Sequence, residues 1–503
     1  MTKTLRSTPV RRPRFTPVLA GLLLLAPLGA APPPLVDAAE RRDHATFNRL
    51  LATAPGAVNT AQPDGMTALL WTAYHDETGP ARALLAAGAD PKLANRYGIT
   101  PLSLACQNGN AELVDLLLAA GADPHRPLPG GETPLLTAAR TGRPGPVRAL
   151  LAAGARVEEA LPNGQTPLMW AAAEGHTEVV GLLLAAGADL PARLASGLNA
   201  WLFAVRGGHA DTVRALLKAG ADLCYATVPT AKPVDKQPRA GTSALLLAIE
   251  NGHFELAAEL VDRGADPNDL RSGYAPLHVL TWVRKPDISE GNGDPPPDGT
   301  GRYASADLIR HLVKKGANVN LALPGGPSGP GRFARQGCTP FLLAADRADT
   351  ACLKLLVELG VDAAARNVEG GTALMTAAGL GAGPDHDEAG TDAEAVEAVA
   401  YLLSLGADPN AVTTMGETAM HGAAYANFPS VVKFLDAHGA KIEVWNKPNS
   451  QGWIPLRIAE GHRIGNFKPD FETIAAFKEV MLARGVAIPP PMERAKVKGY
   501  QVP

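Results

Sequence analysis

Apolar residues along most of this chain fall at helical spacing, in short runs that come in pairs. Leu102, Ala105 and Cys106 share one face of a first run, and Leu135, Ala138 and Ala139 share the same face of the next. A second, more apolar run follows each, such as Val114-Asp115-Leu116-Leu117-Leu118. It ends at a glycine, which can take the left-handed conformation that closes helices. Gly175-His176, Gly208-His209 and Gly252-His253 break the first run from the second. Thr100-Pro101-Leu102, Thr133-Pro134-Leu135 and Thr166-Pro167-Leu168 open first runs. A threonine hydroxyl accepts from a free backbone N–H there, and proline loses nothing at the first helical position. The pattern predicts an all-α chain of paired helices joined by loops.

The pairs recur at a fixed distance. Gly88-Ala89-Asp90, Gly121-Ala122-Asp123, Gly154-Ala155-Arg156, Gly187-Ala188-Asp189 and Gly220-Ala221-Asp222 follow one another in steps of 33 residues. Self-similarity of this kind means stacked units, none able to bury its own apolar face alone. The stretch Gly164-Gln165-Thr166-Pro167-Leu168-Met169-Trp170-Ala171-Ala172-Ala173-Glu174-Gly175-His176, running on to Asp189, resembles the ankyrin repeat. Degenerate copies place the same glycine at Gly264, Gly316, Gly360, Gly406, Gly439 and Gly485, which makes eleven repeats. The resemblance implies an α-solenoid of paired antiparallel helices with projecting β-hairpin or loop fingers. It also implies a protein partner lying against the concave side made by first helices and fingertips.

Several boundaries follow. Residues 35–62 read as an N-terminal capping unit, with Leu35 to Ala39 and Phe47 to Leu51 as its helices and Glu40 to Asp43 as polar cover. Residues 63–488 form the repeat array. After Gly220 the steps lengthen to 44, 52, 44 and 46, return to 33, and end at 46. The excess places insertions at 228–240, 285–301, 323–336, 380–392 and 461–470, as loops on a working face or as relaxed spacing. Residues 489–503 form a proline-rich tail, extended or acting as a docking peptide.

Residues 1–31 carry Lys3, Arg6, Arg11, Arg12 and Arg14 ahead of an apolar stretch and the small residues Gly29-Ala30-Ala31. This reads as a cleaved export signal, with a retained anchor and a twin-arginine route as lesser alternatives. The expected compartment is the periplasm, with full secretion second, and the cleaved chain keeps no stable membrane span. Five of the 47 basic residues and none of the 50 acidic ones lie in that segment, so the remainder carries a net charge of −8. An acidic array without a basic stripe argues against nucleic acid. The four cysteines, Cys106, Cys224, Cys338 and Cys352, lack Cys-x-x-Cys spacing and read as free or packed thiols.

No catalytic, metal or cofactor motif is present: neither His-Glu-x-x-His, Gly-x-Ser-x-Gly, a phosphate loop nor a dinucleotide fingerprint occurs. Asp385-His386-Asp387-Glu388 is the densest cluster of metal-ligating types and reads as a solvated loop. His176, His209 and His253 at the turns, and His278 and His421 in the fourth place of the Thr-Pro-Leu-His pattern, read as structural. Binding is the better-supported chemistry. Carried over by position, the variable helix residues are Tyr74, His75, Gln107, Arg140, Arg206, Glu250, Asp346 and Tyr425, and the fingertip residues Arg96, Tyr97 and Asn163. Tyrosine and arginine offer contact area and forked hydrogen bonding. Trp71, Trp170 and Phe203 share one repeat position, either packed between repeats or partly exposed as anchors. The reading is a non-catalytic, monomeric, exported protein-binding scaffold. Its alternatives are a secreted effector that binds a host or competitor protein, and an enzyme or metal-dependent site in the second-half insertions or at Cys338.

Overall fold

The computed structural model describes residues 34–230, 239–285, 302–326, 333–381, 390–462 and 468–492. The export-signal reading at 1–31 lies outside these residues. So do Asp385 to Glu388, most of the 285–301 insertion, parts of the other four, and the tail beyond Met492. The chain divides into two compact units, Met1–Pro101 and Leu102–Pro503.

In the first unit the helices Pro34–Glu40 and His44–Thr53 are followed by Ala68–Tyr74 and Thr78–Ala86. The second unit continues the pairing, from Ala111–Ala119 through Pro167–Ala173 and Thr177–Ala185 to Pro455–Ala459 and Phe471–Ala483. Among the described residues there are isolated β-bridges but no strand. The fold is all-α, with stacked helix pairs of the ankyrin type.

The local causes are those the residues suggest. Thr133, Thr166 and Thr339 sit extended before their helices, and each side chain accepts from the N–H three residues on, at 3.3, 3.3 and 3.4 Å. Asn199 and Ser243 do the same work in repeats that lack threonine. The Leu and Ala positions of the first helices close the core: Leu135, Ala138, Ala139, Leu168, Ala171 and Ala172 are at most 1% exposed. First helices pack on first helices and second on second, as Pro134–Thr141 packs on Pro167–Ala173 and Pro144–Ala152 on Thr177–Ala185. Small alanines let these helices approach closely.

The turn between paired helices ties each repeat to the one before. The His176 ring lies where a Cβ on Gly142 would stand, 2.2 Å from its Nδ1, and Gly142 has φ +74°. From there His176 Nε2 donates to the Arg140 carbonyl at 3.0 Å. His209 to the Ala173 carbonyl and His253 to the Arg206 carbonyl repeat that bond at 2.9 Å. These histidines are therefore structural ties with the proton on Nε2.

The fingers are loops, not ladders. Each is closed by a short backbone bond, such as Leu161 N–H to the Gln165 carbonyl at 2.9 Å and Leu194 N–H to the Leu198 carbonyl at 2.8 Å. Neighbouring fingers touch through single bonds, such as Thr414 N–H to the Glu369 carbonyl and Ser450 N–H to the Met415 carbonyl, both 2.8 Å. The last finger differs from expectation by folding a short helix, Ile442–Trp445, whose buried Trp445 packs 5.8 Å from Phe477. Part of the final spacing excess is thus used there and in the 13-residue helix Phe471–Ala483.

Candidate binding face

The sequence-derived candidates fall into three groups. Tyr74 and Tyr97 stand exposed at 47% and 56%. Arg96 donates to the Tyr97 hydroxyl at 2.6 Å and lies 4.8 Å from the centre of its ring, which pre-orders that fingertip. Tyr74 packs edge-on against Trp71, whose indole N–H donates to Gln62 Oε1 at 2.9 Å. Gln107, Asn163 and Arg206 are exposed.

A second group is accessible but engaged. His75 stacks on Trp71 and donates Nε2–H to the Glu40 carbonyl at 2.9 Å. Arg140 donates to Glu132 Oε1 at 3.0 Å with its guanidinium 6.0 Å from the Trp170 ring centre. Glu250 reaches solvent, yet the surrounding chain desolvates it enough to push its carboxyl above the usual range, with Arg239 partly offsetting that.

Two candidates are corrected. Tyr425 is 1% exposed: its hydroxyl donates to Glu417 Oε1 at 3.1 Å and accepts from Asn449 Nδ2 at 3.1 Å. The following finger covers that position, so its ring is core. Asp346 has a side chain only 6% exposed, ion-paired with Arg335 at 2.9 Å. The pair raises the Arg335 guanidinium further above its ordinary value, with Asp346 the largest cause.

What positional reasoning missed is a cleft of about 330 Å³ between two consecutive first helices, Pro167–Ala173 and Ala200–Arg206. Trp170 and Phe203 line it with Met169, Gln165, Arg206 and Asn251. The two rings are half-buried, and Met169 below them is 2% exposed. Trp170 and Phe203 were legible as equivalent aromatics. Gln165 and Asn251 were not, although each neighbours a candidate position.

The chemistry on offer is recognition. Burial pushes the Cys338 and Cys352 thiols up to about 12, so neither is a thiolate at neutral pH. Cys224 is exposed, and all four thiols are free. Among the described residues no three His, Cys, Asp or Glu side chains gather to hold a metal ion. No described helix is long and apolar enough to cross a membrane.

Comparison with known proteins agrees with this architecture. A family model described as ankyrin repeats (3 copies) matches residues 35–128, 125–194 and 192–271, and one described as ankyrin repeats (many copies) matches 392–435. The human ankyrin repeat and SOCS box protein 16 is 29% identical over 231 residues, 43% of this chain and 47% of the relative. The E3 ubiquitin-protein ligase KEG of Arabidopsis thaliana is 29% identical over 241 residues, 45% of this chain and 14% of the ligase. Human ankyrin repeat domain-containing protein 63 is 35% identical over 155 residues, 30% of this chain and 34% of the relative. The matched stretch thus spans less than two thirds of each relative's length. Ankyrin repeats are protein-interaction modules, and with helix pairs, capped starts and family matches in agreement, the chain belongs to the ankyrin repeat family.

Proposed function

We propose that the protein is an exported, non-catalytic scaffold that binds another protein along the face made by its first helices and fingertips. One observation carries the reading: exposed side chains of unlike chemistry at equivalent places, Tyr74, Gln107, Arg206 and Glu250, stand on a buried frame that hardly varies. A constant frame under a varied surface is how a repeat array acquires specificity without chemistry. Raised thiols at Cys338 and Cys352 support the non-catalytic part. The basic, apolar residues 1–31 support export, and a net charge of −8 for the rest supports a protein over a nucleic acid.

A photo-crosslinking residue at Tyr97, the most exposed aromatic of the fingertips, tests the reading in the producing cells. Discrete covalent adducts absent from the non-irradiated control are expected, in the periplasmic fraction. Adducts only in the culture supernatant would favour the secreted-effector alternative. No adduct from any fraction would refute the scaffold.

A further inference from the structure

We infer that the cleft between Trp170 and Phe203 receives an extended peptide segment presenting a large apolar side chain beside a carboxylate. The inference rests on the protein-binding reading above and narrows it to one place and one partner chemistry. The apolar half of the argument is shape. A volume of about 330 Å³ lies at the lower end of natural ligand pockets, enough for one large side chain and its flanking backbone. Its walls are two aromatic rings held half-exposed by the packing beneath them. Leaving such rings wet forgoes apolar burial that a partner side chain would supply.

The polar half is charge. The lining contains one cation, Arg206, and no carboxylate. Arg206 forms no ion pair among the described residues; only its carbonyl is engaged, by His253. None of the acids on this or the neighbouring repeats forms an ion pair with it among the described residues. Glu132 holds Arg140 and also accepts from the Thr137 hydroxyl at 2.9 Å. Glu250 interacts with Arg239, and Glu174 lies outside the lining. The free guanidinium can take a carboxylate through two parallel hydrogen bonds beside the adjacent rings. Gln165 and Asn251 stand at the cleft to meet the backbone of an extended chain, whose residues i and i+2 share a face. Acid and apolar anchor therefore lie within two positions of each other in the partner.

The test uses the full chain, fluorescently labelled, on an array of tethered decapeptides. Each holds a central Phe, Leu or Ala flanked within two positions by Asp, Lys or Ser. Asp-flanked Phe and Leu peptides are expected to retain about tenfold more protein than Lys-flanked ones. Arg206→Glu, an exposed and readily folded change, should invert that order. Trp170→Ala, with its helicity checked by circular dichroism, should lower retention on every Phe and Leu peptide. Equal retention across flanks, or an acid preference that survives Arg206→Glu, overturns the inference. Retention of no peptide overturns it as well, and the scaffold reading falls with it only if the Tyr97 crosslinker also captures nothing.

Discussion

Two repeats of the second unit have nearly identical frames and different joints. Pro167–Ala173 with Thr177–Ala185 and Pro340–Asp346 with Thr350–Glu358 each pair a seven-residue helix with a nine-residue one. Both begin at a capping threonine followed by proline. The first is joined to its predecessor by the neutral His176–carbonyl bond, and its nearest ion pair, Arg148 with Glu178, is solvent-exposed. The second has Ala348 and Asp349 where that Gly-His turn would be, and its joints are part-buried charge. Asp349 accepts from Arg284 at 3.0 Å and Asp346 from Arg335 at 2.9 Å. Arg284 immediately precedes the 285–301 insertion, and Arg335 lies inside the 323–336 one. His176, His209 and His253 each reach a backbone carbonyl of the preceding repeat, whereas the turns at Asn110 and Arg143 carry no histidine. At Arg284 and Arg335, beside and inside insertions, long side chains make the connection instead.

The largest effect expected from this difference is at the buried pairs. Arg335→Ala leaves the Asp346 carboxylate buried and unpaired and should cost about 3–5 kcal/mol in urea unfolding. Arg335→Met combined with Asp346→Leu should recover most of that, because the penalty lies in the orphaned charge. Arg148→Ala, which removes an exposed pair, should cost at most about 1 kcal/mol. Equal costs for Arg335→Ala and Arg148→Ala would erase the contrast.

The second effect is a pH dependence carried by buried groups of the later repeats. His278 and His421 are fully buried, and desolvation lowers both from 6.5 to about 4. The unfolded chain then binds more protons than the native one between those values. Their contribution is intact above pH 6.5 and is lost as pH falls toward 4. Glu417 runs the other way: burial, with Glu369 nearby adding repulsion, raises it from 4.5 to about 7, against the pull of Asn449 and Tyr425. Its contribution is intact below 4.5 and is lost as pH rises through 7. At about 1.4 kcal/mol per unit, each of the three groups contributes roughly 3 kcal/mol at most, so the acid limb, with two histidines, is the larger. Urea midpoints between pH 4 and 8 should show Glu417→Gln flattening the alkaline limb and His278→Asn removing about half of the acid limb, the rest remaining with His421. A Glu417→Gln profile parallel to the parent's between pH 5 and 8 would remove this account.

These joints explain what the sequence conceals. Thr133, Thr166, Leu168 and Gly175 were legible because local backbone chemistry dictates them and the 33-residue step repeats them. The turn histidines were legible for the same reason. Tyr425 occupies a position that is exposed elsewhere, and only the packing of Asn449 from the next finger takes it inside. Asp346 looked variable because its partner, Arg335, sits in an insertion that obeys no repeat. The cleft escaped because it belongs to two helices at once, and no single repeat contains it. Regular spacing exposes the frame to sequence reasoning, while side chains that bridge repeats stay hidden until the neighbours are placed.

The smallest effect expected is the asymmetry of the turn glycine itself. At Gly175, φ is +76° and a Cβ would stand 2.5 Å from Nδ1 of His209. Gly175→Ala therefore adds left-handed strain of about 1–2 kcal/mol and displaces a ring whose bond to the Ala173 carbonyl is worth about 1 more. Ala348 already holds that conformation, at φ +46°, in the repeat without a following turn histidine. There the methyl is buried and faces Gly390, on which a Cβ would lie 3.2 Å from it. Ala348→Gly would relieve the strain but give the unfolded chain more freedom, two terms of about 1 kcal/mol that largely cancel. Thermal or urea unfolding should show a loss of about 2 kcal/mol for Gly175→Ala and a change under about 0.5 for Ala348→Gly. If Gly175→Ala proved as mild as Ala348→Gly, the tie from His209 would not be what holds its repeat to the one before, and the packing of paired helices alone would have to account for the joint.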